Sequence, residues 1–221
     1  VENDAVAKSA FPVVSGYYIE NAKVENIVIE GNRGRNDNLN GCRGGGIFLY
    51  RAKNVRISKV EARDYNGDGI SFQQSDDVVV EDCICRGNAN LGLHPGSGSQ
   101  RPMVRNNESR DNGEVGLYLC WRVRKGTFEN NQILRNGETG ISIGHKDTDN
   151  VFRDNTVVGN GTYGILFREE AEPMGGHRNL IQHNVIQNNG GGNGGYGIYV
   201  GGETHDIDII DNVITDTRKG G

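Results

Sequence analysis

A four-residue unit recurs seven times along this chain: a glycine followed by hydrophobic, variable and hydrophobic positions. Its glycines are Gly46, Gly69, Gly92, Gly116, Gly140, Gly164 and Gly197. The spacings between them are 23, 23, 24, 24, 24 and 33 residues. Self-similarity at a fixed period of roughly 20–50 residues is the signature of a solenoid, in which each repeat stacks on its neighbours. The period therefore predicts a stack of coils.

Each repeat contains short extended runs in place of a helix. In the fifth repeat these runs are 140–143, 150–153 and 156–158, and their apolar residues alternate with a period of two. Strands of this kind, each paired with its equivalent one coil later, form parallel sheets. The sequence thus predicts an all-β, single-stranded parallel solenoid with coils of about 23–24 residues.

Composition supports one thin domain. Of the 221 residues only 34% are hydrophobic, whereas 34 are glycine. We predict a single domain over 1–221 with about eight coils, in which 1–17 forms a cap or flanking segment and 173–195 is an insertion in the sixth repeat. The lack of a recognisable capping helix also fits a segment of a larger protein.

Charge and hydropathy exclude several classes of function. A net charge of -5 gives no basic field for nucleic acid. No run approaches the roughly 18 apolar residues that a membrane helix needs, so membrane insertion is not expected. The N-terminal residues carry no secretory signal, as expected of a mature or trimmed chain.

Asparagines recur at two positions of the repeat. One series lies four residues before an anchor glycine and comprises Asn88, Asn112, Asn136 and Asn160. The other lies nine residues before the next anchor glycine, continues beyond the insertion, and comprises Asn107, Asn131, Asn155, Asn184 and Asn212. Stacked asparagines can hydrogen-bond to their copies in adjacent coils, so each series predicts a ladder.

The four cysteines are Cys42, Cys83, Cys85 and Cys120, and none forms a CxxC pair. We interpret them as buried thiols that act as small hydrophobes, with a disulfide or a zinc site as the alternative. Cys83 and Cys85 are expected to point to opposite faces of one strand.

The motifs resemble those of the right-handed parallel β-helix proteins of the pectate lyase-like superfamily. The runs that carry the resemblance are Asn-Gly-Asp-Gly-Ile at 66–70, Gly-Ile-Ser-Ile-Gly-His at 140–145 and the recurrent Asn-x-x-x-x-Asn-Gly turns. The resemblance extends from about Tyr18 to Ile214. It implies a right-handed coil, a carbohydrate substrate and a location outside the cytoplasm.

Strand alternation predicts which side chains face outward from the anchor strands. The outward row contains Phe48, Ser71, His94, Tyr118, Ser142, Leu166 and Tyr199. The variable loops that follow these strands should stack into a wall beside this row. Aromatic, acidic and basic groups along such a groove suit a linear polysaccharide or oligosaccharide.

Candidate catalytic residues lie on this face. Asp68 and His94, on adjacent coils, are expected to approach within about 5–10 Å and to transfer protons. His145 and Lys146 are candidates for the base of an elimination reaction. An exposed surface pair and a solvated charged loop are the alternative interpretations.

Candidate substrate-binding residues surround them. Tyr118 and Trp121 would stack on sugar rings, and Arg122 and Arg124 would bind acidic groups. Arg168 and Glu169 lie in the loop two coils further on and are assigned to substrate binding. The acidic residues of these loops could hold Ca²⁺ through oxygen ligands.

The chain departs from the better-known branches of the superfamily. It lacks the further Asp residues of the polygalacturonase-like hydrolases, the calcium-binding Asp residues of pectate lyases and the Asp-Pro-His signature of the alginate epimerase branch. We therefore predict a carbohydrate-active enzyme that acts by β-elimination or by hydrolysis. The alternative is a carbohydrate-binding, adhesive or structural solenoid without catalysis.

Overall fold

The computed structural model describes residues 12–39, 44–191 and 194–218. Three parallel sheets run the length of the molecule, and every strand pairs with its equivalent in the next coil. The first sheet contains β1 Val14–Tyr17, β4 Gly45–Tyr50, β7 Asp68–Gln73, β10 Leu93–Gly96, β13 Val115–Tyr118, β16 Thr139–Ile143, β19 Tyr163–Phe167 and β22 Tyr196–Val200. This architecture confirms the predicted right-handed parallel β-helix.

The other two sheets consist of three-residue strands. The second sheet contains β2 Lys23–Glu25, β5 Arg56–Ser58, β8 Val79–Glu81, β11 Met103–Arg105, β14 Thr127–Glu129, β17 Val151–Arg153, β20 Leu180–Gln182 and β23 Asp208–Ile210. The third sheet contains β3 Val28–Glu30, β6 Glu61–Arg63, β9 Ile84–Arg86, β12 Glu108–Arg110, β15 Gln132–Leu134, β18 Thr156–Val158, β21 Val185–Gln187 and β24 Val213–Thr215. In the described part of the chain, one 3₁₀ turn spans Arg33–Arg35.

A residue in the left-handed region produces the bend between the second and third sheets. Asn106 and Asn130 adopt φ values of 55° and 54° there, and Asp82 and Asp154 occupy the same place in other coils. Asn and Asp tolerate this region better than most residues because their short polar side chains can hydrogen-bond locally. The repeat therefore places a bend at a fixed position in each coil.

The two predicted asparagine ladders are present. The Nδ2 atom of Asn107 donates to Oδ1 of Asn131 at 3.0 Å, and Asn131 donates in the same way to Asn155. In the other ladder, Asn112 donates to Asn136 at 2.9 Å and Asn136 to Asn160 at 3.0 Å. Because these amides are buried, the ladders satisfy backbone groups that the turns would otherwise leave unpaired.

One continuous hydrophobic core runs along the axis inside the three sheets. In most coils the first and third positions after the anchor glycine contribute to it, as Ile141 and Ile143 show, both fully buried. Phe128 and Phe152 stack in adjacent coils with ring centroids 4.7 Å apart. Stacked identical residues fill the narrow core without gaps, which is how a chain of low hydrophobicity stabilises this fold.

The structure corrects the expected orientation of the cysteines. Cys83 and Cys85 are free and both point into the core, with 1% and 0% of their surface exposed. They share a face because residues two apart in extended chain point the same way. Burial raises the pKa of the Cys83 thiol to about 11. Cys120 is also buried, and Cys42 lies outside the described residues.

The extra residues of the sixth repeat enter at two places. One part, around Pro173–His177, extends the loop between β19 and β20, and the other precedes β22. Of the segment 1–17 that was assigned to a cap, residues 14–17 form strand β1, and residues 1–11 lie outside the described part. Within the described ranges, no helix has the length and hydrophobicity to span a bilayer.

Candidate functional site

The predicted outward row is in register across the first sheet. Ser71 lies opposite both Phe48 and His94, and Ser142 lies opposite both Tyr118 and Leu166. The middle of the row is buried, however, with Ser71 0%, His94 1% and Ser142 2% exposed. The expected open row is thus covered at its centre, whereas Tyr118, Leu166 and Tyr199 are half-buried.

Asp68 and His94 form a buried pair. Oδ2 of Asp68 lies 2.6 Å from Nδ1 of His94, and both side chains are 1% exposed. The contact is closer than the sequence predicted, and burial removes the alternative of an exposed surface pair. A carboxylate at one ring nitrogen fixes the orientation of an imidazole and the position of its proton.

The segment 37–39 contacts the residues just before Asp68. The backbone N–H of Leu39 donates to the carbonyl of Asn66 at 2.7 Å, and the Asn66 side chain donates to the carbonyl of Asp37 at 2.5 Å. Leu39 also packs on Tyr65. These contacts hold the segment against the turn that leads into Asp68.

His94 contacts Tyr118, and Tyr118 in turn contacts Arg168. The rings of His94 and Tyr118 meet edge to face with centroids 5.3 Å apart. On the other side, the guanidinium carbon of Arg168 lies 4.6 Å from the centroid of the Tyr118 ring. A row of four side chains, Asp68, His94, Tyr118 and Arg168, therefore crosses the first sheet along the solenoid axis.

Arg168 is held by groups from the two preceding coils. Its Nη1 donates to Oγ of Ser142 at 2.7 Å, and its Nη2 donates to the carbonyl of Leu119 at 2.9 Å. Nη2 also lies 3.3 Å from Oδ2 of Asp147. A Cβ atom on Gly144 would lie 2.8 Å from Nε of Arg168, so the guanidinium can cross this coil only because residue 144 is glycine.

Asp147 is the buried counterion of Arg168. It is fully buried, and it accepts hydrogen bonds from the backbone N–H groups of Val123 at 2.9 Å and Gly144 at 3.1 Å. Burial raises the pKa of Asp147 to about 7, although Arg168 and these N–H groups oppose the rise. Asp147 is one of the acidic loop residues that the sequence offered as calcium ligands, and nothing in the sequence indicated that it would be buried beneath Arg168.

His145 lies beside Arg168 and between two further partners. Its Nδ1 is 3.4 Å from Nη2 of Arg168, and its Nε2 is 2.8 Å from Oε1 of Glu170. Trp121 stacks on the imidazole with centroids 5.0 Å apart. Burial, followed by the charge of Arg168, lowers the pKa of His145, and Glu170 acts in the opposite direction. The imidazole is therefore neutral at neutral pH and able to accept a proton.

We refer to Tyr118, Trp121, His145, Arg168 and Glu170 as the His145–Arg168 cluster. Four of these five were predicted site residues, and Glu170 was not. Tyr118 ends strand β13, and Trp121, His145 and Arg168 come from three successive loops. Arg122 extends the cluster, with its guanidinium carbon 5.6 Å from the centroid of Trp121. Trp121 is 43% exposed, as expected of a residue at the rim of a groove.

Three predicted residues lie apart from this cluster. Among the described residues, the Lys146 side chain makes no hydrogen bond or ion pair, although its backbone N–H donates to Met174. Arg124 is half-buried, and its Nε atom has no hydrogen-bond partner in the described part of the chain. Glu169 accepts a hydrogen bond of 2.5 Å from the hydroxyl of Tyr199. Their roles in catalysis or binding remain predictions.

Glu169 belongs to an exposed tyrosine cluster at one end of the groove. The rings of Tyr163 and Tyr196 stack with centroids 5.7 Å apart, and Tyr199 lies 5.6 Å from Tyr163 and 5.1 Å from Tyr196. Aromatic faces of this kind present apolar area at low entropic cost. The predicted outward row contains one of these tyrosines, Tyr199.

The predicted calcium site remains a prediction. The carboxylates of these loops are directed to basic side chains of the chain itself: Asp147 to Arg168, Glu170 to the imidazole of His145, and Asp149 to Arg178. A calcium ion needs six to eight oxygen ligands. Among the described residues, no group of three or more metal-ligating side chains consists of carboxylates alone.

A sequence model of the right-handed β-helix region matches this chain at residues 1–172 and 45–214. The chain therefore belongs to the right-handed β-helix family. No protein in a search of curated sequences matches it.

Solved structures show the same fold at low identity. The periplasmic alginate epimerase AlgG is 14% identical with a TM-score of 0.64. The match covers 90% of this chain and 47% of the AlgG chain. The A-module of the mannuronan C-5 epimerase AlgE4 of Azotobacter vinelandii is 16% identical with a TM-score of 0.55. The match covers 90% of this chain and 54% of the AlgE4 module. The Dettilon tailspike protein gp208 is 19% identical with a TM-score of 0.59. The match covers 77% of this chain and 37% of the tailspike chain. This chain thus spans about a third to a half of the length of these proteins.

Proposed function

We propose that this chain is an enzyme that cleaves an acidic polysaccharide by β-elimination in the groove beside the first sheet. The observation that carries the proposal is the contact between Arg168 and His145, whose nearest nitrogens lie 3.4 Å apart. It places a fixed cation and a neutral base side by side. These are the two groups that abstraction of a proton next to a carboxylate requires.

The roles follow from the contacts. Arg168 binds and neutralises the carboxylate of a uronate residue, which acidifies the neighbouring C5–H bond. His145 takes the C5 proton through Nδ1, and Glu170 at Nε2 stabilises the imidazolium that forms. The electron pair of the C5–H bond becomes the C4=C5 double bond, the C4–O4 bond breaks, and Tyr118 donates a proton to the leaving oxygen. His94 and Asp68 hold the Tyr118 ring from behind.

Hydrolysis is less compatible with the site. It requires two carboxyl groups facing each other across the scissile bond, about 5–10 Å apart. In the described part of the groove, Asp68, Asp147 and Glu170 are each paired with a cation or an imidazole. Alginate is the first substrate to test, because two structural neighbours are alginate or mannuronan epimerases, and the periplasmic neighbour supports a location outside the cytoplasm.

The test combines two readouts on alginate and other polyuronates. Ultraviolet absorbance reports the conjugated double bond of the product, and uptake of solvent deuterium at C5 reports proton abstraction even where no bond breaks. We expect the absorbance increase from the native chain, with deuterium uptake only where C5 is reprotonated before the C4–O4 bond breaks. His145→Gln should give neither signal, whereas His183→Gln, which changes an exposed histidine outside the cluster, should retain them. Full activity in His145→Gln would overturn the proposed base.

A second candidate is a binding module that catalyses nothing. The burial of Asp68 and His94 favours it, because these groups are not accessible to a sugar, whereas the tyrosine cluster is. It predicts polysaccharide binding without absorbance change or deuterium uptake. In that case binding depends on Tyr196 and Tyr199 and persists in His145→Gln.

A further inference from the structure

A second cluster of chemically active side chains lies in the loops after β19 and β22, and it shares no residue with the His145–Arg168 cluster. Glu172, His177 and His205 each place one ligand atom within 4.8 Å of those of the other two. Among the described residues, this is the one group of three or more His, Cys, Asp or Glu side chains at such distances. Glu172 and His177 belong to the extended loop of the sixth repeat, and His205 belongs to the following coil.

The surroundings of His205 leave one of its nitrogens available. Its Nδ1 lies 2.7 Å from Oδ2 of Asp206, so the ring proton is held at Nδ1. Its Nε2, which then carries the free electron pair, lies 3.9 Å from Oε1 of Glu172. A carboxylate behind a histidine is the usual arrangement for orienting an imidazole towards a metal ion.

His177 is buried, with 5% of its surface exposed, and its hydrogen bonding is incomplete. Nδ1 accepts the backbone N–H of His205 at 3.1 Å, whereas Nε2 has no partner in the described part of the chain. The buried hydroxyl of Thr204 also has no hydrogen-bond partner among the described residues. Both atoms face Gly175, where a Cβ atom would lie 3.0 Å from Nε2 and 3.1 Å from Oγ1. Two buried polar atoms beside the insertion, Nε2 of His177 and Oγ1 of Thr204, are therefore left without hydrogen bonds in the described part of the chain.

We propose that Glu172, His177 and His205 bind a divalent transition-metal ion of the Zn²⁺ type, with Asp206 orienting His205. Two imidazoles and one carboxylate form a common zinc ligand set, with water at the fourth position, whereas calcium takes oxygen ligands throughout. The ion would join the extended loop of the sixth repeat to the next coil.

Binding requires a local rearrangement. The two rings now stack with centroids 3.7 Å apart and planes 23° from parallel, and imidazoles that share a tetrahedral ion must diverge. His205 is the ring that turns, because half of its side chain is exposed and it lies in a loop. The hydrogen bond from its N–H to His177 is then broken, or the ring of His177 turns over. The metal ion thus completes the site as it binds.

The test is a calorimetric titration of the metal-free, untagged chain with ZnCl₂, followed by the same titration with CaCl₂. We expect one zinc ion per chain, no competition from calcium, and a higher melting temperature with zinc. His205→Gln and Glu172→Gln, which replace exposed side chains, should each weaken zinc binding about tenfold or more. The matched control is His183→Gln, which changes an exposed histidine that also lies near two aspartates.

Nitrogen-15 spectra of the histidine side chains add a readout of ligation itself. Zinc should shift the Nε2 signal of His205 and a ring nitrogen of His177, and leave His183 unchanged. The proposal is overturned if zinc does not saturate at one ion per chain, or if His183→Gln removes binding and His205→Gln does not. Because no readout uses a polysaccharide, the outcome is independent of the proposed elimination reaction.

Discussion

The guanidinium of Arg168 lies across the ring of Tyr118, 4.6 Å from its centroid, although the two residues come from coils that are not adjacent. The arginine reaches back over Ser142 to make this contact, and hydrogen bonds to Ser142 and to the carbonyl of Leu119 hold it there. The site thus owes its geometry to one long side chain that reaches back along the solenoid axis.

Replacing Arg168 by lysine should abolish most of the activity on polyuronates. Lysine keeps the charge but lacks the planar fork that contacts Ser142, Leu119 and Asp147 at once. We expect kcat/KM to fall by about 10²-fold or more, the loss typical of removing one positioned transition-state donor. Arg178→Lys is the control, since Arg178 forms an exposed pair with Asp149. Equal losses in both variants would contradict a specific role for Arg168.

Gly144→Ala should displace Arg168 without unfolding the protein. The new Cβ would lie 2.8 Å from Nε and 3.1 Å from the guanidinium carbon, and the side chain must move away. A misplacement of about 1 Å can reduce turnover up to 10²-fold, so we expect activity to fall more than the melting temperature. Gly34→Ala, where a Cβ meets nothing within 4 Å, is the matched control. Unchanged activity in Gly144→Ala would show that the position of Arg168 is not critical.

Asp147→Asn should change how stability depends on pH. Burial raises the pKa of Asp147 from 3.8 to about 7, so between these values the folded chain holds a proton that the unfolded chain has lost. This group makes the free energy of unfolding fall as pH rises from about 4 to about 7, by up to about 4 kcal/mol, and contributes nothing below that range.

The measurement is urea unfolding of the native chain and Asp147→Asn at several pH values. The difference between the two should grow in favour of the variant up to about pH 7 and then level off. A constant difference across the range would mean that Asp147 is ionised throughout.

The pH dependence of activity should follow His145. Because its pKa is lowered below the ordinary value of 6.5, the acid limb of kcat/KM should lie below pH 6.5. Glu170 raises the pKa of His145, so Glu170→Gln should move this limb to still lower pH. His183→Gln should leave it in place. A limb that does not move in Glu170→Gln would assign it to another group.

The asparagine ladders should contribute strongly to stability. Asn136 is 2% exposed, and its side chain accepts from Asn112 and donates to Asn160 and to the carbonyl of Ser109. Asn136→Ala leaves several of these buried groups unpaired, and we expect a loss of about 3 kcal/mol in urea unfolding. Asn38→Ala, at an exposed position, should change stability little. Comparable effects of the two substitutions would argue against the ladder as a source of stability.

Much of the fold followed from local patterns. The spacing of the glycines predicted the coils, the alternation predicted the inward residues such as Ile141, and the recurrence of Asn112 and Asn136 predicted a ladder. These features repeat at every coil, so each repeat reports the same structural requirement. The predicted orientation of Cys83 and Cys85 was wrong, because residues two apart in an extended chain point to the same face and not to opposite faces.

Only part of the site could be predicted from the sequence. The sequence indicated that Asp68 would lie near His94, since both belong to the periodic strands. It also named Trp121, His145 and Arg168, but it did not predict that they converge, because the loops that carry them do not repeat. Glu170 and the burial of Asp147 left no sequence signal, and neither did the pairing of Glu169 with Tyr199.

The sequence by itself determined the solenoid, its three sheets and the row of residues on its outward face, because parallel stacking repeats one local geometry at each coil. Only the tertiary structure decided which of those residues are accessible and which loop groups meet. Burial and the reach of Arg168 depend on contacts between coils, and a pattern within one coil carries no information about them.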